Sequence, residues 1–377
     1  MNDPLYRLAD FRQSVWFDDI NRDVINSGRL DELIAEYNVT GGTSNPTIFE
    51  KAFSGSDAYE EQFRELVKDI STPEGIQDML AITDVQLAAD RLRPVYERTE
   101  GGDGYVSLEV APAYANDTVR TISETRRLWA ALERPNVMIK IPGTSAGLPA
   151  IETCLTEGIN VNITLLFSVE SYRQVAEAHV RALEKRAAGG QPIDGIASVA
   201  SFFVSRVDTM ADDRLTALAE AAPSSERKAA ILELRGKLGV ANAKLAYQVY
   251  LDITQSDRWR RLAEHDARPQ RCLWASTSTK NPAYSDILYV DELIGPETVN
   301  TMPEDTILAF ADHGHPRETL TAGVEEARAL MPRLQEAGLD LEAVTRDLQV
   351  EGVDKFAKSY DDAIKAIKDR SQSVGVS

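Results

Sequence analysis

One lysine in the middle of an apolar run is the most chemically suggestive feature of the chain. In residues 136–144, Val137, Ile139 and Ile141 alternate with Met138, Lys140 and Pro142, so an extended backbone holds three aliphatic side chains on one face and the amine on the other. Pro142-Gly143 closes the run, which puts Lys140 near a strand's carboxyl end, where parallel α/β folds assemble their chemistry. An isolated strand lysine ordinarily snorkels to water, but this one has company. Residues 105–110 set Ser107 and Glu109 against Val106, Leu108 and Val110. Residues 160–167 set Asn162 and Thr164 against Val161, Ile163 and Leu165, residues 196–204 put Ser201 and Phe203 on one parity, and Asp18 follows Trp16 on another short run. An exposed antiparallel sheet would also alternate, but its polar face would be rich in Lys, Arg, Glu and Thr. These stripes hold one amine, two carboxylates, an amide and small hydroxyls. A buried amine is disfavoured in its charged form, and the neutral amine adds to a ketone to form a Schiff base, an electron sink for carbon–carbon cleavage. Glu109 and Thr164 are suited to hold a water that moves protons while the carbinolamine dehydrates, and Asp18 to move the proton of the cleaving hydroxyl.

Positioning such groups needs several strands pointing at one place. Apolar alternation and short runs bounded by turn residues predict strands over 14–19, 39–44, 105–110, 136–142, 160–167, 196–204, 272–276 and 298–302. Helical periodicity separates them, over 29–37, 58–69, 74–97, 149–157, 169–188, 208–220 and 285–294, and over 225–264 with a break near Gly236-Lys237-Leu238-Gly239. Asn116 is the expected cap of a further helix reaching about Arg134, and the chain from Pro303 onward reads as helix-rich, ending in 353–370. Strand alternating with helix eight times is the pattern of a (β/α)₈ TIM-type barrel, with additional helices before the third strand, after the sixth and at the C-terminus. A doubly wound sheet is the competing architecture, but Gly41-Gly42-Thr43 lacks the third glycine of a dinucleotide-binding turn. No linker-like run divides residues 1–377, which read as a single barrel domain.

With 41 basic and 60 acidic residues the net charge is −19, which argues against nucleic acid and anionic membrane as partners. No stretch reaches the roughly 20 apolar residues of a membrane span, and the first residues lack a signal peptide's basic start and apolar core. A cytoplasmic enzyme is expected. Cys154 and Cys272 are too few for a disulfide framework and are expected as buried thiols. The His313-Gly314-His315 triplet, followed by Pro316, reads as a surface turn rather than a metal site; no metal and no cofactor is expected.

Five stretches in order resemble transaldolases: Gly-Gly-Thr-Ser-Asn-Pro-Thr-Ile-Phe at 41–49, Ser-Leu-Glu-Val at 107–110, Met-Ile-Lys-Ile-Pro at 138–142, Gly-Ile-Asn-Val-Asn-Ile-Thr-Leu-Leu-Phe-Ser at 158–168 and Ala-Ser-Phe-Phe-Val-Ser-Arg-Val-Asp at 200–208. The resemblance implies metal-free transfer of a dihydroxyacetone unit from sedoheptulose 7-phosphate to glyceraldehyde 3-phosphate, yielding erythrose 4-phosphate and fructose 6-phosphate. It makes Lys140 the Schiff-base lysine, Asp18 the acid/base, and Glu109 and Thr164 the holders of the catalytic water. It further implies substrate contacts from Asn45, Asn162, Ser201 and Phe203, and a phosphate site at Arg206 and Ser276. Many relatives carry a second arginine two residues after that serine; here Ser278 stands there and Lys280 is the next basic residue, so Lys280 is expected among the substrate-binding residues, with either it or Ser278 opposite Arg206 at the phosphate. Asp18-Asp19 offers two carboxylates for one role, and parity with Trp16 favours Asp18. An aldolase that releases dihydroxyacetone and a barrel without catalysis are the other readings. The large helical additions speak against the first, and the joint presence of Lys140, Glu109, Asp18 and Arg206 against the second.

Overall fold

The computed structural model describes residues 4–374; residues 1–3 and 375–377, included in the single-domain expectation, lie outside the described residues. Strands β1 (Gln13–Phe17), β2 (Val39–Thr43), β3 (Val106–Glu109), β4 (Val137–Pro142), β5 (Val161–Leu166), β6 (Ser198–Phe203), β7 (Arg271–Ala275) and β8 (Thr298–Met302) close into a parallel barrel in chain order, with β8 pairing back onto β1. Alternation sorts the side chains. Val15, Val106, Leu108, Ile139, Ile141, Val161, Ile163 and Phe202 face outward into the apolar layer beneath the helices. Trp16, Tyr105, Met138, Val199, Leu273 and Val299 face inward and belong to a second apolar cluster, which floors the barrel below Lys140. Trp16 fills its part of that floor only because residue 41 is glycine: a Cβ there would run into the indole.

Further helices lie at three places in the strand–helix order. Pro46–Gly55, Glu60–Asp69 and Pro73–Arg98 precede β3; Ser205–Glu220, Ser225–Leu232, Leu238–Thr254 and Asp257–Ala263 follow β6; and Glu304–His313, Val324–Ala337 and Leu341–Val374 follow β8. Four expectations need correction. Residues 46–55, to which no helix was assigned, are helical: Pro46 occupies the first turn, and the Asn45 side chain accepts hydrogen bonds from the amides of Thr47 and Ile48. Asp117, not Asn116, caps the helix Thr118–Leu132 by accepting from the Arg120 amide. Of 285–294 only Leu288–Asp291 is helical. Leu165 leaves the outward row, because it adopts φ of 59° where the β5–β6 register shifts, and it joins the inner cluster.

The C-terminal helix Leu341–Val374 crosses the carboxyl end of the barrel. Gln349 Nε2 donates to the Gly143 carbonyl at 3.0 Å, the hydroxyls of Thr47 and Ser359 meet at 2.7 Å, and Gly352 packs so closely on Leu165 that an added Cβ would lie 2.9 Å from its Cδ2. This element roofs the site.

Candidate active site

Strand pairing brings the central pair together. Glu109 of β3 lies beside Lys140 of β4 in the ladder, and Glu109 Oε2 stands 3.4 Å from Lys140 Nζ, with side-chain exposures of 3% and 8%. The same amine donates to the Ser44 carbonyl at 3.3 Å. Burial pushes the Glu109 carboxyl up, and the charges of Lys140 and Arg206 only partly oppose this. The contact with Lys140 is close enough for attraction but poorly aligned. Both Glu109 oxygens and the Thr164 hydroxyl are buried without a hydrogen-bond partner among the described residues. A carboxylate and a hydroxyl in that state are equipped to hold a small polar molecule between them.

Asp18 follows β1 directly, its amide donating to the Met302 carbonyl at 3.0 Å. Its carboxyl is pushed up to about 7, first by burial and then by the charge of Asp19, against the pull of Lys140 and Lys280. Such a group exchanges protons near neutrality. Asp19 accepts instead from the Asn21 side chain at 3.2 Å and does not line the cavity.

Above the apolar floor lies an open cavity of about 800 Å³, lined by Asp18, Asn45, Lys140, Thr164, Ser201, Phe203, Arg206, Ser276 and Lys280 among others. Asn45 enters as the cap of its helix. Arg206, in the first turn of Ser205–Glu220, lies with its guanidinium carbon 5.0 Å from the centre of the Phe203 ring. Ser276 adopts φ of 56° just past β7, and its hydroxyl meets that of Ser205 at 2.9 Å. Lys280 is exposed and donates to Ser278 Oγ at 3.0 Å. Asn162 does not reach the cavity. It is fully buried next to Lys140 in the ladder, donating to Ser107 Oγ at 3.0 Å and accepting from Ser201 Oγ at 2.7 Å, so both ends of its amide are engaged. That geometry suits a residue that holds Ser201 and the floor in place.

Thr43 of β2 and Thr301 of β8 also line the cavity, as do Leu348, Glu351, Gly352, Lys355 and Phe356 of the C-terminal helix. Sequence reasoning missed all of these. Thr43 carries a signal in the parity it shares with Gly41; the helix residues carry one only as spacings of three and four, which mark a shared face without saying what it covers. A second cavity, of about 40 Å³, lies behind β3 among Asp78, Asp84, Glu109, Glu124 and Tyr360, and is too small for a sugar. No group of His, Cys, Asp and Glu among the described residues could hold a metal. His313 ends its helix at the surface, paired with Asp286 and Asp312.

The chain that carries this lysine–glutamate pair is similar to known proteins over nearly its whole length. Residues 15–367 match the family described as Transaldolase/Fructose-6-phosphate aldolase. The chain is 49% identical over 369 residues to a transaldolase of Thermobifida fusca (strain YX), covering 97% of this chain and 98% of the relative. It is 48% identical over 372 residues to one of Parafrankia sp. (strain EAN1pec), covering 98% of each, and 46% identical over 368 residues to one of Trichodesmium erythraeum (strain IMS101), covering 97% of each. A match that spans the barrel from its first strand into its roofing helix, and whole relatives from end to end, leaves no part of the site outside it: the chain belongs to the transaldolase/fructose-6-phosphate aldolase family.

Proposed function

We propose that the chain transfers a dihydroxyacetone unit from sedoheptulose 7-phosphate to glyceraldehyde 3-phosphate through a Schiff base on Lys140. The observation that carries this reading is the Lys140–Glu109 pair at 3.4 Å, buried at the carboxyl end of the barrel, with Lys140 lining a cavity large enough for a phosphorylated ketose and Glu109 behind it, outside that lining. Lys140 Nζ adds to the ketone carbon, and a water held by Glu109 and Thr164 relays protons as the carbinolamine loses hydroxide as water. Asp18 takes the proton of the hydroxyl on the far carbon of the bond to be broken, the carbon that leaves as the aldehyde. The electron pair of that carbon–carbon bond passes into the iminium, leaving an enamine on Lys140 and releasing the aldose. When the acceptor aldehyde enters, the enamine carbon attacks its carbonyl, Asp18 returns the proton, and water held by Glu109 hydrolyses the new imine. Asn45 and Ser201 meet substrate hydroxyls, and Arg206 and Ser276 meet the phosphate.

The reading takes no metal and no cofactor, since the iminium is the electron sink. It treats the chain as one domain acting in the cytoplasm, in keeping with Cys154 and Cys272 as buried free thiols. A charge of −19 disfavours nucleic acid, and no described helix is long and apolar enough to cross a membrane.

Borohydride reduction in the presence of fructose 6-phosphate tests this directly. The expected result is irreversible inactivation with one adduct on Lys140, and loss of turnover in a folded Lys140→Ala variant. An adduct on Lys244 or Lys280, or none, overturns the assignment. A coupled assay for erythrose 4-phosphate separates transfer from simple release of dihydroxyacetone.

A further inference from the structure

Arg206, Lys280 and Lys355 line the same cavity, and none of the three has a carboxylate within ion-pair distance among the described residues. The other cavity cations differ: Lys140 faces Glu109, and Arg214 is held by Asp347 at 2.7 Å. Cations without an ion-pair partner gathered around one cavity are unexpected in a chain of charge −19, because like charges repel and carboxylates are plentiful. Lys355 feels this crowding most directly. Its ammonium is disfavoured first by Arg206, then by burial, Lys51 and Lys280. An anion seated among these groups would turn the repulsion into attraction.

Arg206 is half-buried in the first turn of its helix and stacked on Phe203, which makes it a more fixed cation than Lys355. Lys355 differs in kind: a flexible four-carbon stem descends from the roofing helix, one turn beyond Gly352, which is wedged on Leu165. The two ketoses of the proposed reaction differ by one carbon, so their phosphates lie at different distances from Lys140. A cradle with one fixed and one adaptable cation accepts both. We propose that Lys355 of the C-terminal helix is the adaptable cation of the phosphate cradle, opposite Arg206, which makes the helix part of the substrate site. This rests on the Schiff-base reading above.

The test compares unsubstituted protein with Lys355→Ala, Lys355→Arg and Lys280→Ala. KM and kcat are measured with fructose 6-phosphate and sedoheptulose 7-phosphate, the inhibition constant with inorganic phosphate, and borohydride capture with unphosphorylated dihydroxyacetone. In Lys355→Ala, KM for both phosphorylated ketoses should rise about tenfold, the order expected for one charged hydrogen bond. Phosphate inhibition should weaken in parallel, while kcat and dihydroxyacetone capture stay within about twofold; Lys355→Arg should recover most of the loss. Unchanged KM values in Lys355→Ala, or a comparable loss with dihydroxyacetone, overturn the proposal, as does a phosphate-dependent loss found in Lys280→Ala alone. Absence of capture by the unsubstituted protein would overturn the Schiff-base reading itself, whereas normal capture with unchanged KM removes only Lys355.

Discussion

Replacing Asp18 by asparagine should separate stability from function. An unfolded Asp titrates near 3.8, whereas in the fold this carboxyl is pushed up to about 7 by burial and by Asp19. Between those values the native state keeps a proton that the unfolded chain has lost, so the group's contribution to stability is fully present below 3.8 and is lost as pH rises through 7. At about 1.36 kcal/mol per pH unit the interval is worth on the order of 4 kcal/mol. Asp18 is enclosed by protein on nearly all sides, yet its side chain retains some accessible area on the cavity wall, and water there screens the charge. About 2 kcal/mol is therefore the working figure. The amide in Asp18→Asn does not titrate, so thermal melts of both proteins from about pH 4.5 to pH 8.5 isolate the effect. With an unfolding entropy of about 2.1 cal/mol/K per residue, 377 residues convert 2 kcal/mol into about 3 °C. The variant should gain that much on the wild type as pH rises, levelling off above about pH 7, while losing turnover by about 10²- to 10⁴-fold. The wild-type cleavage step, which needs the carboxylate, should quicken through the same pH. A stability difference that stays flat across this range would refute the burial argument, and retained turnover would refute the role.

Glu109→Gln should slow formation of the borohydride-trappable imine by about 10²-fold or more, for phosphorylated and plain sugars alike, because proton relay is lost whatever the substrate's charge; a change of only a few-fold would make Glu109 a structural carboxylate. Gly41→Ala should lower stability by about 1–3 kcal/mol in a denaturant titration, since its Cβ would enter the buried Trp16 ring; an unaltered midpoint would mean that the floor has room to spare. Prolonged dialysis against EDTA should leave turnover unchanged, and a loss restored by a divalent metal would displace the iminium as the electron sink.

The local patterns that were legible in the sequence are those with a short physical period. Alternation along 105–110, 136–142 and 160–167 is enough to put Glu109, Lys140 and Thr164 on one side of their strands, because a pleated strand leaves a side chain only two directions. The eightfold strand–helix rhythm led to the barrel, and the barrel's handed closure made those sides converge. Leu165 escaped this logic: its backbone is held in a left-handed conformation where β5 and β6 slip in register, a strain set by neighbouring elements rather than by its own type. Asn162 escaped it as well. Its parity is polar, as read, but Ser107 and Ser201 arrive from β3 and β6 to occupy its amide, and which hydroxyl meets which amide depends on barrel stagger.

By itself, then, the chain's order of residues determined which side chains line the strands' polar faces, where the helices interrupt them, and that an amine sits among carboxylates at a strand's end. Tertiary structure alone decided the distances and the energetics. The 3.4 Å contact of Lys140 with Glu109 follows from β3–β4 register, and the raised Asp18 carboxyl from burial beside Asp19 and under a packed cavity wall. Register and burial are properties of neighbours brought together by folding. The C-terminal helix shows the division most clearly. Its amphipathic spacing is written in residues 341–374, but the surface it covers lies far away in sequence, where Gly143 and Leu165 accept Gln349 and Gly352. A helix's pattern states that one face is buried; only packing between distant elements decides that this face closes over the lysine and brings Lys355 into the cavity.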